Sequence, residues 1–368
     1  MEEDLVAQYF EPVEEGYLEE NFEILEEIGK GAFSKIYKIQ EKKNDKIMAV
    51  KSIDKSKVKK LERVITEARF YSRFNDKSNP EEFKETEISK FVATQLHKPL
   101  HCPNYYYIFM QFYERGDLYQ YCEAKQGLLE EEAKFVTRNL IEILMLLHQE
   151  GIVVRDIKPE NCVIDDQGII RLIDFNHVAF LEDSPDGKLY ETTGTMGYMS
   201  PEVLKAKKSG YATEADIWCL GCLIYVILSG KLPFQGSEKI SINAAILLNP
   251  IKYYKYWSKE LKDVLSKIFI NSPKHRITLK GILEHPWMED FDQDWEDLAE
   301  NSPLKNTSPN DLSQKLTLID DSTSITLKKP TDEHHAKSKI LSAIKIPTET
   351  PSKPDSEGQI YKREYSFG

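Results

Sequence analysis

Two spacings of apolar residues divide the chain. Up to residue 112, apolar positions alternate or cluster in short runs: FEILEEIG (22–29), FSKIYKIQ (33–40) and KIMAVKSI (46–53). Such runs predict strands, and KNDK (43–46) between the last two predicts a hairpin turn. Val58, Leu61, Ile65 and Ala68 instead recur at helical spacing, so one helix interrupts the strands. FVATQL (91–96) and NYYYIFMQF (104–112) predict two more strands. Beyond residue 117 the pattern turns helical, most strongly in EEAKFVTRNLIEILMLLHQ (131–149) and ADIWCLGCLIYVILSG (215–230). The expected fold is α+β, a small sheet-rich lobe followed by a larger helical one.

The two ends read differently. Residues 1–20 hold eight acids and no Lys or Arg, which predicts a mobile acidic extension over 1–21. From 289 to 368 Ser, Thr, Pro, Lys and Asp dominate without apolar periodicity, a composition that cannot offset its own ordering entropy. A formal charge of −12 argues against nucleic acid as a partner, because phosphate must be neutralised. Five cysteines are too few and too scattered for a disulfide scaffold. The N-terminus shows no signal-peptide pattern, and the longest apolar run, WCLGCLIYVIL (218–228), is too short to span a bilayer. No membrane partner and a cytoplasmic or nuclear location are therefore expected.

Candidate chemistry begins at IGKGAFSKIYKI. Gly29 and Gly31 lie between strands, with Ser34 where a third glycine often sits. A dinucleotide loop would open a helix here; a strand follows instead, leaving a hairpin whose backbone N–H groups fold over phosphates. Lys51 on a strand and Glu67 on the helix suggest a pair that positions α- and β-phosphates. The strongest signal is GIVVRDIKPENCVI (151–164) with Asp174–Phe175 thirteen residues after Asn161. Five polar side chains between two apolar runs need a partner outside the protein. An acid beside a nucleophilic hydroxyl, with Asn and Asp as hard oxygen ligands, suits magnesium and phosphoryl transfer.

Residues 22–288 resemble the eukaryotic protein kinase family. GKGAFSKI, AVK, Glu67, VRDIKPEN, DFN, GTMGYMSPE, DIWCLGC, KHRIT and HPWM arrive in family order. KPEN is similar to the serine/threonine branch, and GTMGYMSPE, LSGKLPF and HPWM to the calcium/calmodulin-dependent group. The resemblance implies a bilobal fold (N-lobe 22–113, C-lobe 114–288), ATP and Mg2+ as cofactors, and protein substrates phosphorylated on Ser or Thr. It implies Asp156 and Lys158 as catalytic residues and Asn161 and Asp174 as metal ligands. For ATP it implies the loop Ile28, Gly29, Lys30, Gly31, Ala32, Phe33, Ser34, Lys35 and Ile36. Ala49, Lys51, Glu67, Gln111, Tyr113, Asp117, Glu160 and Val163 complete that set, behind Met110 as gatekeeper.

Two positions depart from the family pattern. Val154 replaces the usual His, in an apolar column with Phe175 and Tyr71; Asn176 replaces Gly, as a residue tolerant of positive φ. They motivate the alternative of a weakly catalytic pseudokinase scaffold, although every charged group needed for chemistry is present. Regulation is expected at Arg155, Glu191, Thr192 and Thr193. Glu191 stands where relatives carry a phosphorylated residue, so it should pair with Arg155, and Arg63 could share it. In the tail, KSKILSAIKI (337–346) is basic and partly amphipathic, so calmodulin is a possible partner. Cys219–Cys222 and the His97, His101, Cys102 cluster read as structural.

Overall fold

The computed structural model describes residues 2–74, 86–248, 251–291 and 295–305. The smaller lobe contains α1 (Glu2–Tyr9), β1 (Glu11–Pro12), α2 (Tyr17–Asn21), β2 (Phe22–Lys30), β3 (Ser34–Glu41) and β4 (Ile47–Asp54). It continues with α3 (Leu61–Phe74), β5 (Gln95–His101) and β6 (Tyr105–Met110). These strands form one sheet in the order β1-β5-β6-β4-β3-β2, antiparallel except for the β1–β5 pair. Asp45 sits at φ 58° in the β3–β4 hairpin, a conformation Asp tolerates better than most residues.

Period-two alternation gives the sheet two apolar faces. Ala49, Ile53, Tyr106, Ile108 and Met110 face the cluster that includes α3; Met48, Val50, Tyr107 and Phe109 face a second cluster. The strand expected over FVATQL starts later, at Gln95, because Phe91 and Ala93, on either side of Val92, instead bond the other lobe at Leu172.

The larger lobe holds α4 (Leu118–Lys125), α5 (Glu130–Gln149), β7 (Ile152–Val153), β8 (Cys162–Ile164), β9 (Ile170–Leu172) and β10 (Ala179–Phe180). It continues with α6 (Pro201–Leu204), α7 (Ala206–Ser209), α8 (Glu214–Ser229), α9 (Lys239–Leu248), α10 (Lys259–Ile268), α11 (Leu279–Leu283) and α12 (Trp295–Glu300). α8 is buried on all sides and α5 packs on it, which accounts for their unbroken apolar runs. Arg276 forms a buried pair with Glu202 at 2.6 and 2.9 Å, tying the end of the lobe to α6.

Packing continues beyond residues 22–288 at both ends. Residues 2–21 are folded: Val6, Phe10 and Leu18 are buried in the sheet's two clusters, while the acids stay on the solvent side. Sparse apolar anchors without periodicity hid this packing. At the other end, Trp295 meets the rings of Phe91 and Phe135, and Leu304 is fully buried. Ser302 Oγ donates to the Gly168 carbonyl at 2.8 Å, and Arg115 donates to the carbonyls of Leu304 and Lys305. The KSKILSAIKI segment lies outside the described residues, as does most of the 75–87 insertion. Among the described residues, no helix is long and apolar enough to cross a membrane.

If the 295–305 segment belongs to the packed unit, Leu304→Ala should destabilise the protein by about 2–3 kcal/mol. Urea unfolding monitored by tryptophan fluorescence measures this; an unchanged midpoint would show that the segment contributes nothing.

Candidate active site

The predicted residues converge where the lobes meet. Lys51, on β4, and Glu67, on α3, are buried, and Lys51 Nζ donates to both Glu67 carboxylate oxygens at 2.9 and 2.8 Å. The same ammonium donates to Asp174 Oδ1 at 2.6 Å, from the larger lobe. Burial works against the Lys51 cation, but Asp174 and Glu67 outweigh it and hold its pKa above the usual lysine value. Burial likewise pushes Glu67 above the ordinary carboxylate range, with Lys51 opposing. An ammonium within 2.9 Å of both oxygens makes the contact an ion pair at neutral pH.

A second cluster lies on the loop after β7. Asp156 Oδ2 contacts Lys158 Nζ at 2.9 Å and accepts from Asn161 Nδ2 at 3.0 Å; Oδ1 accepts the Thr195 backbone N–H at 2.8 Å. Lys158 Nζ also donates to Thr195 Oγ1 at 2.7 Å. Burial disfavours the Asp156 anion, but Lys158, His177 and the Thr195 contact prevail, so its carboxyl titrates below the usual range. Asp174 is lowered in the same way, burial being outweighed chiefly by Lys51.

The nucleotide-side residues sit around this centre. Ile28, Gly29 and Lys30 end β2, Gly31, Ala32 and Phe33 form the turn, and Ser34, Lys35 and Ile36 open β3. Gly31 N–H donates to the Ser34 carbonyl at 2.8 Å, and a Cβ on Gly31 would come within 2.8 Å of Ser34 Oγ. Lys35 turns to Glu27 at 2.7 Å instead of joining the charged centre. Ala49 pairs with Met110 across β4 and β6, Gln111 and Tyr113 follow in the interlobe connection, and Asp117 bridges Val163 on β8. Asp117 Oδ1 caps α4 at Gln120 N, 2.7 Å, and Glu160 lies in the turn Pro159–Asn161.

Three carboxylates, Glu67, Asp156 and Asp174, face two ammoniums, Lys51 and Lys158, at this site, where Lys51, Glu67 and Asp156 are buried and Asp174 is one-third exposed. One uncompensated negative charge therefore favours a cation. Asn161 commits its Nδ2 to Asp156, so Oδ1 is the atom that would ligate a metal, together with the Asp174 carboxylate. Two hard oxygen donors fit magnesium.

The loop is held by a residue the motif reading left without a role. Asp216, fully buried in α8, accepts the Val154 N–H at 2.9 Å and the Arg155 N–H at 2.7 Å. It also contacts His148 Nε2 at 2.9 Å. Arg155 and Asp174 adopt φ 67° and 63°, which non-glycine residues hold only when their surroundings impose it. Asn176 is not among the positive-φ residues; the left-handed step falls two residues earlier, at Asp174. The sequence signal for Asp216 was an Asp inside an apolar helix.

The Tyr71 and Phe175 rings pack edge-on at 5.4 Å, and Phe70 adds a stacked face at 3.8 Å. Val154 is buried in the same cluster. The residues expected to regulate also meet. Glu191 lies 3.7 Å from Arg155 Nη1 and 3.1 Å from Arg63 Nη2, and Lys60 joins them. Thr193 differs from expectation. It is buried, accepting from Arg63 at 2.9 Å and contacting His177 Nδ1 at 2.8 Å, so no kinase reaches it in this conformation. Thr192 Oγ1 donates to the Val203 carbonyl at 3.2 Å. Neither His177 nor Lys60 was recognisable from its neighbours in sequence. Cys219 and Cys222 donate to the carbonyls of Tyr198 and Gly197 inside the lobe.

A strand Lys bound to a helix Glu, set above an Asp–Lys–Asn loop between a sheet lobe and a helical lobe, defines the protein kinase class. The family described as Protein kinase domain matches residues 22–288, and the chain belongs to it. It is 30% identical over 332 residues to CBL-interacting protein kinase 10 of Oryza sativa subsp. japonica, covering 89% of this chain and 68% of that protein. It is 30% identical over 282 residues to serine/threonine-protein kinase cds1 of Schizosaccharomyces pombe, covering 73% and 58%. Calcium-dependent protein kinase 29 of Arabidopsis thaliana is 31% identical over 280 residues, covering 73% and 49%. The chain thus spans about half to two-thirds of the length of these relatives, which are serine/threonine kinases of the calcium/calmodulin-dependent group.

Asp216→Ala would leave two buried N–H groups and His148 without their shared acceptor, at a cost of about 3 kcal/mol. Denaturant unfolding reads that loss, and Asp216→Asn should recover part of it. A second expectation concerns pH. Asp156 and Asp174 are lowered in the folded state, so their contribution is complete above about pH 5 and is lost as pH falls through the depressed values. Unfolding titrations from neutral to acid pH should show this loss, and Asp174→Asn should flatten it.

Proposed function

We propose that the protein is an active serine/threonine kinase that moves the γ-phosphoryl group of ATP to Ser or Thr hydroxyls of protein substrates. The observation that carries this reading is the preformed Lys51–Glu67–Asp174 contact above the Asp156–Lys158–Thr195 cluster. In this reading Lys51, held by Glu67, binds the α- and β-phosphates. Magnesium, when bound by Asn161 and Asp174, neutralises the charge on the transferring phosphates. Asp156 orients the substrate hydroxyl and accepts its proton as the bond to phosphorus forms. Its lowered pKa makes it a weak base early in the reaction, so orientation is its main contribution. Lys158 steadies the transferred group while anchored to Thr195. Ile36, Ala49 and Val163 enclose the adenine, and Gln111 and Tyr113 offer backbone groups to its edge.

The same reading extends to activation. Glu191 gathers Lys60, Arg63 and Arg155, occupying a phosphate's place with a carboxylate and ordering the loop without an upstream kinase. A carboxylate carries less charge and fewer acceptor oxygens than phosphate, so the hold is partial.

Phosphate transfer from ATP to a degenerate peptide library tests the first claim. Lys51→Met and Asp156→Asn should each fold normally and lower kcat about a hundredfold or more. Wild-type turnover in Asp156→Asn would remove the loop from the mechanism. For the second claim, phosphatase-treated wild type and Glu191→Ala are compared. Three half-exposed contacts correspond to about a five- to tenfold loss. Equal activities, or a wild type silent until Thr192 or Thr193 is phosphorylated, would refute it.

A further inference from the structure

Residues 2–21 precede the family-matched region, yet they pack against the helix that carries Glu67. α1 packs on α3, and Val6 and Phe10 belong to the apolar core that also holds Val64, Ile65 and Ala68 of α3 and Ile53, Tyr106 and Ile108 of the sheet. Phe10 is 2% exposed, its ring centred 5.0 Å from that of Tyr106.

The segment then turns around the edge of the sheet. β1 pairs with β5 in parallel, and Val13 N–H donates to the His101 carbonyl at 2.9 Å. Glu11 pairs with Lys98 at 3.0 Å, and Asn104 donates to both oxygens of Glu15 at 2.8 Å. Leu18 of α2 finally enters the cluster on the opposite face, with Met48, Val50 and Phe109. Apolar anchors therefore sit on both faces, Val6 and Phe10 on one and Leu18 on the other, joined by a strand along the edge. Such a clasp fixes the depth at which Phe10 sits.

The position of α3 matters because the contact at Glu67 spans only 2.8–2.9 Å. The polar face of α3 is held by the activation segment, the stretch between Asp174 and Thr195, through Glu191 on Arg63 and on Lys60 just before the helix and through Glu182 and Asp183 on Arg69. Those contacts are exposed or half-exposed and constrain the helix weakly. Phe10 and Val6 act where α3 meets the sheet, with close-packed apolar contacts that resist displacement. We propose that Phe10 is a positioning residue for phosphoryl transfer: by filling the space between α3 and the sheet, it keeps Glu67 within reach of Lys51. The proposal rests on the kinase reading above.

The test uses the full-length protein with Phe10→Ala and Phe10→Leu. Peptide phosphorylation gives kcat and KM, and amide hydrogen exchange reports on residues 61–74 separately from α5 and α8. In Phe10→Ala, kcat should fall about tenfold with the peptide KM little changed, a loss confined to the transition state. Exchange should quicken across α3 while α5 and α8 keep their protection, and Phe10→Leu should recover most of both. Unchanged kcat with unchanged α3 exchange would overturn the proposal. So would equal loss of protection in α3, α5 and α8 without recovery by Leu, which marks general destabilisation. If the wild type transfers no phosphate, the kinase reading fails on its own; the exchange data still decide whether Phe10 holds α3.

Discussion

A single buried ammonium holds the two lobes in register. Lys51 reaches Glu67 within its own lobe and Asp174 in the other, with all three distances below 3 Å. Burying such charges is costly unless each is paired, and one cation shared by two carboxylates is not fully neutral. The remaining negative charge makes the cleft receptive to a metal ion. It also makes the contact depend on Lys51, since removing that ammonium leaves two carboxylates facing each other without a shared cation. Most of the smaller lobe can be understood as scaffolding for this contact: β4 presents the lysine, α3 the glutamate, and the sheet edge supports α3.

The larger lobe meets a different constraint, backbone strain. Arg155 and Asp174 both adopt left-handed conformations on either side of the charged loop. Each costs on the order of 1–2 kcal/mol and persists only because its surroundings over-determine it. Asp216 supplies much of that support, bonding two consecutive backbone N–H groups from inside α8. The Arg155 side chain then bonds the carbonyls of His177 and Val178, linking the loop to the start of the activation segment. An apolar helix with one aspartate thus converts core stability into precise placement of Asp156.

Between the two lobes the activation segment works as an electrostatic strap. Acids at 182, 183 and 191 meet the cations of α3 along its length. Arg69 adds a face-on contact with Phe180 at 4.0 Å. None of these surface pairs is strong alone, and a network of this kind weakens as salt rises. Apolar packing from the N-terminal segment does not share that sensitivity. Two physically distinct holds on one helix allow its position to respond to charge without being lost.

Much of the site was legible in the chain because its chemistry is local. Asp156, Lys158 and Asn161 fall within six residues, and their roles depend on spacing that a short turn enforces. The strands and long helices were equally readable, since burial of one sheet face, or of a whole helix, imprints a period on the residues. What tertiary structure alone decided lacks any such period. Val6, Phe10 and Leu18 are the apolar residues that become buried in a stretch with eight acids, and their packing on the sheet explains them. Trp295 and Leu304 are similar, isolated in a polar stretch and buried against a distant surface. Asn176 was read as a residue tolerant of positive φ, whereas the backbone takes its left-handed step at Asp174. Thr193 appeared accessible in sequence and is buried because Arg63 and His177 approach it from different elements. Contacts between segments 100 or more residues apart leave no local trace, so the sequence determined the chemistry and the tertiary structure decided what holds it in place.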